Sequence, residues 1–128
     1  SPLVVQLATD AISNVRLEEL WAALVTMEVA VANDDRDGWS RADSQYHEIV
    51  TSACPNRLLG ELSLQIRNRI SFIAIDMRTS SERLAACTQE HRRIVEQMAK
   101  RDGEGAAEAM RAHIDQLWQS TVRRFNHR

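Results

Sequence analysis

Apolar residues recur at intervals of three and four along most of the chain, and no alternation of period two persists anywhere. That pattern excludes a sheet-based fold. A side chain returns to the same face of a strand every second residue, but to the same face of a helix every ~3.6. Arg16 to Ala32 is the clearest case, with Leu17, Leu20, Trp21, Leu24, Met27 and Val31 on one side. Leu3 to Ala8 reads as the closing turns of an earlier helix. After the polar run NDDRDG (33–38), a third helix is predicted from about Asp37 to Ala53, carrying Trp39, Ala42, Tyr46, Ile49, Val50 and Ala53.

Pro55 and Asn56 break the pattern, and Asn56 is a candidate N-cap. The next helix runs from Leu58 to about Arg78 with two apolar stripes. Leu59, Leu62, Ile66, Ile70, Ile73 and Met77 form one; Leu64, Phe72 and Ile75 form the other. A helix apolar on two sides is either central in a bundle or shared with a second subunit. Thr79 to Ser81 is a polar break, and Thr88 is a candidate cap on the approach to His91. Ile94, Val95, Met98 and Ala99 mark a helix through Arg101. Asp102-Gly103 turns the chain into a last helix, Gly105 to about Phe125, with Ala106, Ala109, Met110, Ile114, Leu117 and Trp118. Only four Gly and two Pro punctuate the sequence. The expected fold is all-α, an antiparallel bundle of about six helices joined by short loops.

A chain of 128 residues fits one domain. Its net charge of −2 provides no basic field for nucleic acid or anionic lipid. No apolar run approaches the ~18 residues that a membrane span requires. Cys54 and Cys87 form no CxxC pair and no signal peptide is recognisable, so reduced thiols in a cytoplasmic protein are expected. The opening SPLVVQLATD reads as a cut into a longer protein.

Four ionisable residues lie on or beside the apolar faces: Asp43, His47, His91 and His113. Asp43 and His47 are one helical turn apart, displaced by only ~40°, so one cation can touch both. His91 sits in the middle of the Ile94, Val95 and Met98 face, and His113 borders Ala106, Met110 and Leu117. Taken singly, a histidine on an apolar face is more often a hydrogen-bonded core residue than a ligand. Four inward-pointing groups on three helices shift that balance, because a lone buried carboxylate is costly and one dication would satisfy all four. Imidazole and carboxylate together suit Zn, Ni, Co, Mn or Fe(II). Glu28 lies in the apolar arc of its helix but can snorkel to solvent. Arg67 and Arg69 flank the long helix's main stripe and are candidates to face an anion or to be solvated. There is no Gly-rich phosphate loop, GxSxG or HExxH. The terminal VRRFNHR, which holds His127, reads as a solvated helix end.

The order of these pieces resembles one family. DSQYHEIV is similar to the D-x-x-[FY]-H segment of the FCD domain, the effector-binding half of FadR-like GntR transcription regulators. ACPNRLL is similar to its A-x-x-N-x-x-L turn, and QEHRRIVEQMAKRDGEGAAEAMRAHI to its closing E-H and H-[IL] motifs. The resemblance implies a bundle of six or seven helices, a homodimer, and a divalent metal held by Asp43, His47, His91 and His113. It further implies that the metal binds a small carboxylate effector directly and that an attached winged helix binds DNA. Arg67, Arg69 and Asn56 are the candidate effector contacts within this sequence. The length best suits the VanR-like subgroup. The sequence departs from the full pattern in having no winged helix, and the family's effector-gripping arginine would precede Ser1. The family's fatty-acyl-CoA regulator lacks this ligand set, so an acyl-CoA effector is not expected here.

Two other readings use the same residues. A helical metalloenzyme would activate water or a carbonyl at the open site, and would need a general base such as Glu90 or Glu28. Glu90 precedes His91, so on a helix it points ~100° away, which weakens that reading. A purely structural metal, or none, in a dimerisation or ligand-binding module is the third.

Overall fold

In the computed structural model the backbone is described for residues 1–74 and 80–126, and side chains for 1–69, 80–120 and 122–123. Six helices make up this part: α1 (Pro2–Ala11), α2 (Asn14–Ala32), α3 (Arg36–Ala53), α4 (Arg57–Ala74), α5 (Ser81–Ala99) and α6 (Gly103–Asn126). No strand occurs among the described residues, so the all-α expectation holds.

Small polar side chains set where five of the six helices, α2 to α6, begin. Ser13, Asp35, Asn56, Ser80 and Asp102 each accept a hydrogen bond from the backbone N–H three residues on, at 2.9–3.1 Å. Each such cap stabilises its helix by ~1 kcal/mol. The α2–α3 and α5–α6 turns share one construction. Asp34 (φ 54°) and Arg101 (φ 59°) adopt the left-handed conformation. The next N–H then reaches back to a carbonyl five residues earlier, Asp35 to Ala30 (2.8 Å) and Asp102 to Gln97 (3.0 Å). The residue that ends one helix this way caps the next, so each pair folds into a tight hairpin.

The core lies where α2, α3, α5, α1 and α6 meet. Leu20, Leu24, Met27, Tyr46, Ile94 and Met98 are fully buried there, with Val4 and Val5 of α1 beside them. α2 packs on α3 and α5, α6 on α5 and α1, and α4 chiefly on α3.

One open choice is narrowed and two expectations are corrected. Of the two readings of α4, the central one is not met: Leu58, Leu62 and Ile66 are 66, 47 and 58% exposed, because its described neighbours are α3 and, more slightly, α1. Phe72, Ile75 and Met77 lie outside the described side chains. Thr88 caps nothing. It sits in mid-α5, donates to the Leu84 carbonyl (2.8 Å) and accepts from Trp39 Nε1 (2.9 Å). α6 begins at Gly103, and Ile114, Leu117 and Trp118 on its second half are exposed at 41, 39 and 68%. The cause is length: 24 residues of α6 span about 36 Å, against about 15 Å for the 10 residues of α1 beside it.

Candidate metal centre

α3 brings Asp43 and His47 to the core from one side, and α5 brings His91 from the other. The i, i+4 spacing places both α3 groups on the same face, as the sequence suggested. Asp43 is 5% exposed and His91 1%. Asp43 Oδ1 lies 2.8 Å from His91 Nε2 and 3.3 Å from His47 Nε2. The ligand atoms of all three fall within 4.8 Å of one another.

His113 approaches from α6. Its ring meets that of His91 edge-on, with centroids 4.7 Å apart. It does not join Asp43 and His47 within the same 4.8 Å; it groups instead with His91 and Cys87. His91 is therefore the residue common to both groups.

Hydrogen bonds fix how the imidazoles are presented. The Cys87 carbonyl, one turn earlier on α5, lies 2.9 Å from His91 Nδ1 and can only accept, so Nδ1 carries the proton. In a neutral ring that leaves the Nε2 lone pair pointing at the Asp43 carboxylate. Two acceptors at 2.8 Å need a proton or a cation between them. On the far side, His113 Nδ1 donates to Glu90 Oε1 (2.6 Å), which also accepts from the Arg83 guanidinium (2.5 Å).

Burial alone would raise the Asp43 carboxyl, but His47 and His91 beside it hold it well below the usual carboxylate range. Burial lowers His47 and His113, with Asp43 and Glu90 respectively pulling the other way. Tyr46 packs against His91 (centroids 4.5 Å) and His47 (5.2 Å). Its hydroxyl is fully buried and has no hydrogen-bond partner among the described residues. Burial, then the nearby Asp43 and Cys87, push its ionisation far up, so the phenol stays neutral.

These residues fit a divalent ion. Two ligand atoms ~2.1 Å from an ion and ~90° apart at it are separated by about 3.0 Å, close to the 2.8 and 3.3 Å found around Asp43 Oδ1. The donor set is mixed N and O, mostly buried, with one lone pair already oriented.

Of the expected effector contacts, Arg67 is brought to this site. It ion-pairs with Asp43 Oδ2 and reaches Ser44 Oγ at 3.3 Å. Arg69 is exposed and ~200° further round α4. Asn56 caps α4 and is exposed. Glu28 snorkels to an ion pair with Arg92. Sequence reasoning assigned no supporting role to Glu90, Arg83 or Cys87. The available signal was the seven-residue spacing of Arg83 and Glu90, which puts them two turns apart on one face of α5.

A buried carboxylate and imidazoles thus approach one another from three helices of an all-α bundle, and comparison with known proteins places that bundle in a family. The FCD domain family matches residues 1–116, and the chain belongs to that family. It is 30% identical over 114 residues to the HTH-type transcriptional regulator YdhC of Bacillus subtilis, covering 88% of this chain and 51% of that protein. It is 27% identical over 110 residues to the galactonate operon transcriptional repressor of Escherichia coli, covering 84% and 47%. The chain thus spans about half the length of these relatives. Both relatives are named as transcription regulators, which favours a regulatory reading over a metalloenzyme. No helix of the described residues is long and apolar enough to cross a membrane.

Proposed function

We propose that this domain senses a small carboxylate through a divalent metal held by Asp43, His47, His91 and His113, and passes its occupancy to an attached DNA-binding domain in a cytoplasmic homodimer. The observation that carries the reading is the convergence of Asp43 Oδ1, His47 Nε2 and His91 Nε2, with His91 Nδ1 already engaged by the Cys87 carbonyl. When bound, a divalent ion with three neutral imidazoles and one carboxylate keeps a charge of about +1 and serves as a Lewis-acidic anchor for an anion.

The chain's own residues supply the rest. Arg67 places a guanidinium at the edge of the same cluster, where it can pair with a second effector oxygen. Arg69 and Asn56 rest on their positions in the sequence alone. One relative is named for the galactonate operon, and galactonate is a hydroxy-carboxylate, the class expected here. An effector that fits one arrangement of α3, α4, α5 and α6 better than another shifts the population towards it.

One observation favours a metal-free alternative. Arg67 already compensates the Asp43 charge, so the four residues can stand as a polar core network. Metal content of the purified domain, before and after chelation, separates the two. Near-stoichiometric metal in the wild type and its loss in Asp43→Ala are expected, followed by stabilisation of the loaded domain by hydroxy-acids in a thermal-shift screen. A wild type that can be loaded with no divalent ion would leave only the polar network.

A further inference from the structure

Glu90 is 7% exposed, and its Oε1 is 2.6 Å from His113 Nδ1 and 2.5 Å from the Arg83 guanidinium. A carboxylate enclosed between α5 and α6 is expensive to desolvate unless it is paired, and here two donors converge on one oxygen. Arg83 is seven residues before Glu90, two turns up the same face of α5, and His113 comes from the facing helix. The three form a chain that ends at His113.

We infer that Glu90 is the positioning residue of the centre, held by Arg83 so that it fixes His113 with Nδ1 protonated and Nε2 free to bind metal. The inference rests on the metal reading above and adds to it a residue that touches neither metal nor effector. A ligating imidazole whose second nitrogen donates to a carboxylate is held in one tautomer and made more basic, and loss of such a partner typically costs 10–100-fold in metal affinity. His91 is oriented differently, by a neutral carbonyl. At His113, by contrast, the nitrogen turned away from the proposed ion meets a full carboxylate.

Cobalt(II) is the probe, with affinity from competition titration and the visible d–d spectrum as readouts on the purified domain. Glu90→Gln keeps the size and one acceptor oxygen but removes the charge, so the fold should survive, as circular dichroism would verify. A 10–100-fold loss of cobalt affinity and an altered d–d spectrum are expected. The decisive comparison is the double-mutant cycle with His113→Ala: if Glu90 acts through His113, Glu90→Gln has no further effect once that imidazole is gone. A merely structural role would reduce affinity equally in both backgrounds and would overturn the inference. Unchanged affinity in Glu90→Gln would overturn it too, leaving the metal reading standing. No cobalt uptake by the wild type would overturn the metal reading and this inference together.

Discussion

At the scale of single residues, the centre is a set of groups kept in particular protonation states. Burial holds His47 and His113 below their ordinary value of 6.5, so the unfolded chain takes up protons at a pH where the folded one does not. The sign follows: their contribution is fully present above about pH 6.5 and is lost as pH falls through that value towards the lower folded values. Asp43, held well below 3.8, acts in the same direction at lower pH. The melting temperature of the chelator-treated domain should therefore fall between about pH 7.5 and pH 5.5. A flat calorimetric profile would mean that the imidazoles titrate alike in both states. With a divalent ion present the fall should be steeper, since protons compete for the same nitrogens. Asp43, His47, His91 and His113 were legible because ionisable side chains interrupt apolar faces. The pairing of Glu90 with His113 and of Arg67 with Asp43 was not, because each depends on a neighbouring helix: α6 beside α5 for Glu90, and α4 lying across α3 for Arg67.

At the scale of elements, local chemistry explains most boundaries, and one residue ties distant ends together. Arg101, in the left-handed position of the α5–α6 turn, donates to the Ile12 carbonyl (2.5 Å) and the Thr9 carbonyl (3.2 Å) at the end of α1. Its other nitrogen reaches Asn14 Oδ1 at 2.9 Å. One side chain thus satisfies the Thr9 carbonyl of α1 and that of its C-cap Ile12, and fastens that helix to the hairpin that carries His91 and His113. Arg101→Ala should cost about 1–3 kcal/mol, read as a lower urea midpoint with an unchanged slope. A midpoint identical to wild type would show that solvent serves the α1 carbonyls equally well. Asn56 and the Asp102-Gly103 turn were readable in advance because cap chemistry is local. Thr88 was misread because a threonine on an apolar face has two uses. Only the position of Trp39, 49 residues away, decides for the buried hydrogen bond over the cap.

At the scale of the molecule, periodicity fixes that every element is helical but not which helix lies at the centre. The apolar pattern of α4 fits a core helix and an interface helix alike, and only its packing tells them apart. Leu58, Leu62 and Ile66 recur every fourth residue, so they form one continuous row, and all three face solvent in the single chain. An exposed apolar row of this kind can pair with its own copy about a two-fold axis, as the proposed homodimer needs. It is also borne by the helix that places Arg67 on Asp43, so effector contacts and subunit pairing would share one element. Glutamate at exposed positions costs the monomer little, whereas like charges facing each other across a two-fold would oppose pairing. Leu62→Glu with Ile66→Glu should therefore halve the mass measured by light scattering while leaving the helical circular-dichroism signal and the metal content intact. A double variant that keeps the dimer mass would place the pairing surface elsewhere. One that loses helicity with its mass would show instead that the row is needed for folding of the single chain.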